Sequence, residues 1–216
     1  MGGATCSSPP HRPRVHHAGL SPAANWALIV LCVGGAAAAA VGLLQTRPAT
    51  GRPDRYGGRG TELFHLIMLV AMAVMGSEWS RSLSAIWWRQ LFGALALASV
   101  VWLIAETRDR SENRNDRIGA AGYHCVAALA MVYATLGSPA GHAPHAAAGH
   151  PADPPYPLLG WFLAGVFLLD AVVAAAAVVR PPRGAESARC RIVTVFPHLA
   201  MDIAMATMLV AGLTSS

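Results

Sequence analysis

The chain has 216 residues, of which 54% are hydrophobic and only 12% are charged. A soluble globular domain carries about 25% charged residues, so this composition excludes an ordinary soluble domain and indicates a membrane protein. The formal net charge of +5 comes from arginines that are spread over several loops and not clustered on one segment, so it is no argument for a nucleic-acid-binding face.

Six apolar runs follow one another along the chain and predict an all-α, six-helix transmembrane bundle. They lie at residues 24–44, 61–78, 86–105, 118–137, 158–179 and 192–213. A helix needs about 20 apolar residues to cross the hydrocarbon core. The second run is the shortest, and it reaches the required length only with Thr61 and Glu62 at its edge. Residues 23–216 are therefore expected to form one transmembrane domain in a lipid bilayer.

Two segments outside these runs have a different composition. Residues 1–22 are rich in Pro, Ser, Gly and His and predict a disordered extracytoplasmic tail, with a cleaved signal peptide as the alternative. Residues 138–157 carry His142, His145 and His150 among Ala, Gly and Pro, and contain no arginine. This loop is predicted to be an external solvated linker, and a weak metal-capture site is the alternative.

The arginines predict the orientation. The sequence contains no lysine, so all 16 basic residues are arginine. Positive residues stay in the cytoplasm, and the loops after spans one, three and five hold most of them. We therefore expect a plasma-membrane protein with these loops inside and both termini outside. The arginines of the three loops are Arg47, Arg52, Arg55, Arg59, Arg108, Arg110, Arg114, Arg117, Arg180, Arg183, Arg189 and Arg191.

An internal repeat is the most informative feature. Spans two and six share the pattern His-x2-Met-x3-Met-x2-Met, and span four holds a reduced copy. Each copy follows an arginine by six or seven residues, which predicts three helical hairpins of one kind. The candidate metal ligands of the three copies are His65, Met68, Met72, Met75, His124, Met131, His198, Met201, Met205 and Met208.

The spacing places each ladder on one helix face. Since a helical residue advances about 100° and 1.5 Å, the His and Met side chains fall within an arc of roughly 80° and extend over roughly 15 Å. Thioether sulfur favours Cu(I), and imidazole suits copper, zinc and iron. The pattern favours a copper carrier or assembly factor. Two alternatives remain: a haem-binding electron-transfer bundle with His axial ligands, and a scaffold in which the methionines only pack.

Carboxylates within the spans are the other candidate functional groups. Asp170 lies in the middle of span five and Asp202 lies beside Met201 in span six. A carboxylate at such depth is costly, so each is a candidate proton relay or partner of a histidine; a neutral Asp bonded to another helix is the alternative. Glu62 and Glu106 lie at helix ends and are expected at the membrane interface. The common motifs of hydrolases, zinc proteases and nucleotide-binding enzymes are missing from the sequence, and we expect no enzymatic activity.

The helix motif His-x2-Met-x2-Ala-Met-x2-Met resembles that of an actinobacterial family of multi-pass membrane proteins of unknown function. The resemblance covers roughly residues 60–213 and is carried by His65, Met68, Ala71, Met72 and Met75 with their counterparts in span six. Span four departs from the motif, with alanine in place of two methionines. The resemblance implies a topology and no activity. By ligand type alone, the helices also look like those of bacterial copper-import and copper-resistance membrane proteins.

Overall fold

The computed structural model describes residues 20–45, 59–108, 114–136, 156–179 and 188–214, and every regular element within these ranges is helical. Each long helix begins and ends within about one turn of the apolar run that predicted it. All six are long and apolar enough to cross a membrane, so the predicted fold class is confirmed. The helices are α1 (Pro22–Gln45), α2 (Arg59–Gly76), α3 (Ala85–Arg108), α4 (Arg114–Leu136), α5 (Pro157–Val179) and α6 (Ala188–Thr214).

Local sequence explains where two of the spans start. The side-chain oxygen of Ser21 accepts a hydrogen bond from the backbone N–H of Ala24 at 3.2 Å and caps α1. Pro22 and Pro157 are the first residues of α1 and α5. Proline suits this position because its missing N–H would have no partner within the helix and its φ is already helical.

Neighbouring helices pair as antiparallel hairpins, α1 with α2, α3 with α4 and α5 with α6. At the start of α1, Asn25 donates a hydrogen bond from Nδ2 to the carbonyl oxygen of Gly76 at the end of α2, at 2.9 Å. Gly160 at the start of α5 lies against Leu213 at the end of α6. A contact between the start of α3 and the end of α4 shows the same arrangement. Since consecutive spans cross the membrane in alternate directions, α2, α4 and α6 all run in one direction.

The even-numbered helices form the interior of the bundle. Helix α6 packs against α1, α2, α4 and α5, and α2 also contacts α4. The chain passes from α2 to α3 through a short 3-10 helix, Glu78–Ser82. Although this link is short, within the described residues α2 and α3 pack closely on other partners rather than on each other. Between them lies an apolar groove of about 460 Å³, lined by residues such as Val70 and Trp87.

Two predicted segments lie almost wholly outside the described residues. These are the tail at 1–22 and the histidine-containing loop at 138–157, of which the structure describes only the ends next to α1 and α5. Both stay predictions.

Candidate metal centre

The structure brings the three predicted histidines together inside the bundle. His65, His124 and His198 come from α2, α4 and α6 and are almost completely buried. The ring centroid of His65 lies 4.9 Å from that of His124 and 5.5 Å from that of His198. Each histidine occupies the same register in its copy of the repeat, and the three helices run in parallel, which explains why the rings meet at one depth.

Two carboxylates and a tyrosine complete this cluster. His198 Nε2 lies 2.8 Å from Asp170 Oδ2 and 3.5 Å from Asp202 Oδ2. The hydroxyl of Tyr123 donates a hydrogen bond to Asp202 Oδ1. A carboxylate inside a membrane protein costs several kcal/mol unless it is paired, so these contacts stabilise the fully buried Asp202. We call the whole group the polar centre: His65, His124, His198, Asp170, Asp202 and Tyr123.

The hydrogen bonds of His124 indicate which of its nitrogens carries the proton. His124 Nδ1 lies 2.7 Å from the carbonyl oxygen of Ala120. A carbonyl oxygen only accepts, so Nδ1 is the donor. In a neutral imidazole the other nitrogen is then an acceptor with an open lone pair. That nitrogen, Nε2, is buried and has no hydrogen-bond partner.

The same reasoning applies to His65 through His198. His198 Nε2 faces two carboxylates and carries a proton, which in the neutral ring makes Nδ1 an acceptor. With His198 neutral, the 3.4 Å contact between His65 Nε2 and His198 Nδ1 makes His65 Nε2 the donor of that pair. His65 Nδ1 is thus a second acceptor that is buried without a hydrogen-bond partner. Two imidazole lone pairs therefore lie within one small buried cluster.

The methionines of the repeat line the same interior. Five of them are at most 1% exposed and belong to the core around the polar centre, namely Met68, Met72, Met131, Met201 and Met205. Met75 and Met208, at the far end of their ladders, are partly buried and pack against this core. The imidazole and thioether groups thus point into the bundle. Metal binding by them stays a prediction.

Three ligand atoms of the centre already have a spacing that suits a cation. Asp170, His198 and Asp202 each offer one ligand atom, and these atoms lie within 4.8 Å of one another. Imidazole and carboxylate oxygen together suit zinc and related divalent ions. The centre therefore has a carboxylate-rich side around His198 and a carboxylate-poor side around His65 and His124.

Glu62 and Glu106 lie at helix ends, as expected, and their side chains are buried between helices; their position at the membrane interface stays a prediction. Glu62 lies close to Gly42 of α1, where an added Cβ would lie 3.1 Å from the carboxylate carbon. Glu106 Oε2 forms an ion pair with Arg117 Nε at 2.7 Å, and its Oε1 accepts a hydrogen bond from the indole of Trp102 at 2.8 Å. Close helix contacts cover carboxylates that a helix-end position alone would leave exposed.

Two aromatic residues of the site went unrecognised in the sequence. Tyr123 lies against His198 with ring centroids 4.5 Å apart at an interplanar angle of 45°, and its hydroxyl donates a hydrogen bond to Asp202. Trp102 lies against His124 with centroids 5.6 Å apart. The position of Tyr123 directly before His124 was the one available signal. No sequence pattern marked Trp102, because its helix, α3, contains no copy of the His/Met pattern.

These features define a multi-pass α-helical membrane protein with a buried centre of histidine, carboxylate and tyrosine. The chain belongs to the family described as Domain of unknown function (DUF5134), whose match covers residues 57–212. Neither a curated protein nor a solved structure matches the chain.

Proposed function

We propose that this protein binds copper within the membrane and acts without enzymatic chemistry, as a carrier or an assembly factor. The observation that carries the proposal is the pair of buried imidazole acceptors, His65 Nδ1 and His124 Nε2, which have no hydrogen-bond partner. A buried acceptor without a donor is costly, and a cation bound between the rings would satisfy both.

The surroundings of these two nitrogens favour Cu(I) over a harder ion. Met68 lies one turn beyond His65 on α2, and Met201 lies one turn beyond His198 on α6; both are fully buried. Thioether and neutral imidazole are soft, uncharged ligands that suit a monovalent copper ion in an apolar interior. The carboxylates contact His198 instead, and they would orient that ring, as outer partners of metal ligands do.

The geometry favours a bare ion over the haem alternative. The ring of His65 contacts the rings of both His124 and His198, with centroids 4.9 and 5.5 Å apart. A porphyrin held between two axial histidines needs the width of its own plane and open space around its edge. The packed alanines and methionines of this core leave no such slot among the described residues.

The proposal includes an orientation and a location. Helices α2 and α4 carry arginines in their first turn, namely Arg59, Arg114 and Arg117. These arginines lie at the end of the bundle that is nearer to the histidines. By the positive-inside preference this end faces the cytoplasm of a plasma-membrane protein, and both termini face outside. Copper would then enter the ladders at the histidines and leave past Met75 and Met208, or move in the reverse direction.

Elemental analysis of protein purified in mild detergent tests the proposal. We expect copper in the wild type and its loss in the double variant His65→Ala/His198→Ala. The conservative variant Met68→Leu/Met201→Leu keeps the apolar volume and should weaken Cu(I) binding without changing elution volume. Met75→Leu/Met208→Leu is the matched control with methionines at the far end of the ladders, and we expect a smaller loss.

Each other outcome identifies a different function. Stoichiometric copper in the double histidine variant rejects the polar centre as the site. Zinc in place of copper would assign the metal to Asp170, His198 and Asp202. A Soret band would restore the haem alternative, and a folded protein with neither metal nor haem would leave a structural scaffold.

A further inference from the structure

A crevice between α4 and α5 connects the outer face of the bundle with the polar centre. Its volume is about 380 Å³, and Asp170 and His198 line its deep end. Val126, Val166 and Leu169 form its mouth and have exposed side chains. Both helices are candidate membrane spans, so the mouth opens toward lipid and a ligand would enter from the bilayer.

One wall of the crevice is shaped for a flat group. Gly119 and Gly122 lie one turn apart on α4 and line the crevice, and a Cβ added at either would have no neighbour within 4 Å. At the inner side, Tyr123 and Phe167 also line the space, with ring centroids 6.3 Å apart at an interplanar angle of 84°. A planar aromatic ring can lie along the glycine surface and contact these two rings in offset or edge-on geometry.

The charges at the deep end select the polar part of the ligand. Asp170 lines the crevice, its side chain is 31% exposed, and the fully buried Asp202 faces the same nitrogen of His198, Nε2. A carboxylate has about four lone-pair sites, so Asp170 can accept a hydrogen bond from a ligand in addition to those it accepts from the protein. Ionised phosphate and carboxylate headgroups bring only acceptor oxygens, which do not pair with the carboxylate oxygens at this end, whereas a hydroxyl group can donate to Asp170.

We propose that this crevice binds a lipid of the hydroquinone class, with the hydroxyl of its aromatic head donating to Asp170 and its aliphatic tail in the bilayer. Ligand pockets are about 300–1,000 Å³ in volume, so the crevice accommodates the ring and the first part of the tail. This site goes beyond copper binding: it lies on the lipid-facing side of the polar centre, and it shares His124 and His198 with that centre but is not lined by His65 or Met68.

Binding of a decyl-substituted hydroquinone to the full-length protein in detergent, followed by calorimetry, tests this site. We expect saturable binding of the hydroquinone. Its dimethyl ether has the same ring and tail but lacks the donors, and it should bind about ten-fold more weakly or worse, as expected for the loss of a hydrogen bond to a charged acceptor. Equal binding of the ether, or tighter binding of decanoate, overturns the proposal.

A pair of glycine variants locates the site. Gly122→Leu fills the crevice from a position with open space in front of it, and we expect hydroquinone binding to fall at least about ten-fold. Gly93→Leu on α3 is the matched control, because its Cβ also meets nothing within 4 Å and it does not line the crevice. Equal binding by both variants rejects the crevice as the site.

The metal content of the same samples separates the two proposals. Gly122→Leu should keep the metal content of the wild type while losing hydroquinone binding. Failure of the copper proposal would show as an absence of copper in every sample, with hydroquinone binding unaffected. Failure of the crevice proposal would show as copper bound and no binding of hydroquinone to the wild type.

Discussion

The even-numbered and odd-numbered helices differ in burial and in hydropathy, and the most apolar helices are among the less buried ones, which is the reverse of a soluble protein. In α2, α4 and α6, 44%, 39% and 56% of the residues in the spanning windows are buried, compared with 28%, 22% and 28% in α1, α3 and α5. The two most apolar spans, α1 and α5, belong to the exposed set. In a bilayer the solvent is apolar, so apolar character marks the helices that face lipid and polar residues mark the interior.

This contrast also explains which helices carry the candidate functional side chains. The even helices carry all three histidines of the polar centre and all the methionines of the spans, whereas the odd helices contribute Asp170 from α5. Small residues on the odd helices allow close packing onto this interior. The account therefore predicts that the same substitution has unequal effects on the inner face of an even helix and the outer face of an odd one.

Two leucines provide the largest expected contrast. Leu69 of α2 is fully buried, and Leu97 of α3 is 66% exposed. Leu69→Ala should lower the free energy of unfolding by about 2–5 kcal/mol because a cavity replaces packed atoms. Leu97→Ala should change it by no more than about 0.5 kcal/mol. Unfolding in mixed micelles measures both, and equal losses would break the distinction between the two sets of helices.

Two neighbouring glycines of α1 allow two faces of one odd-numbered helix to be compared. A Cβ at Gly35 would lie 2.8 Å from Cβ of Ala200 and 3.0 Å from a methyl group of Leu69, so α1 approaches the interior most closely there. A Cβ at Gly34 would meet Phe196 at an ordinary 3.6 Å. Gly35→Ala should cost about 1–3 kcal/mol through overpacking.

Gly34→Ala is the control for this prediction. It should be neutral or slightly stabilising, since alanine is the better helix former. The same unfolding assay compares the two variants. A Gly35→Ala protein as stable as the wild type would show that α1 is loosely attached, and that its inner face differs little from its outer one.

Much of the fold could be predicted because the bilayer sets helix length and the apolar runs mark it. The meeting of His65, His124 and His198 was also predictable, since equal register on parallel helices gives equal depth. Asp170 was harder to assign: the rotation of α5 about its axis decides whether that carboxylate faces lipid or His198, and α5 is apolar nearly all round. Contacts with no counterpart in the repeat, such as Gly42 against Glu62, could not be inferred from any pattern.

The central claim is that imidazole from the polar centre and thioether from the ladders bind one copper ion. X-ray absorption at the copper edge, on protein loaded with Cu(I) in detergent, tests this most directly. The account predicts nitrogen and sulfur ligands together in the first coordination sphere, and loss of that signal in His65→Ala/His198→Ala. A first sphere of oxygen alone, or an unchanged spectrum in the double variant, would contradict it.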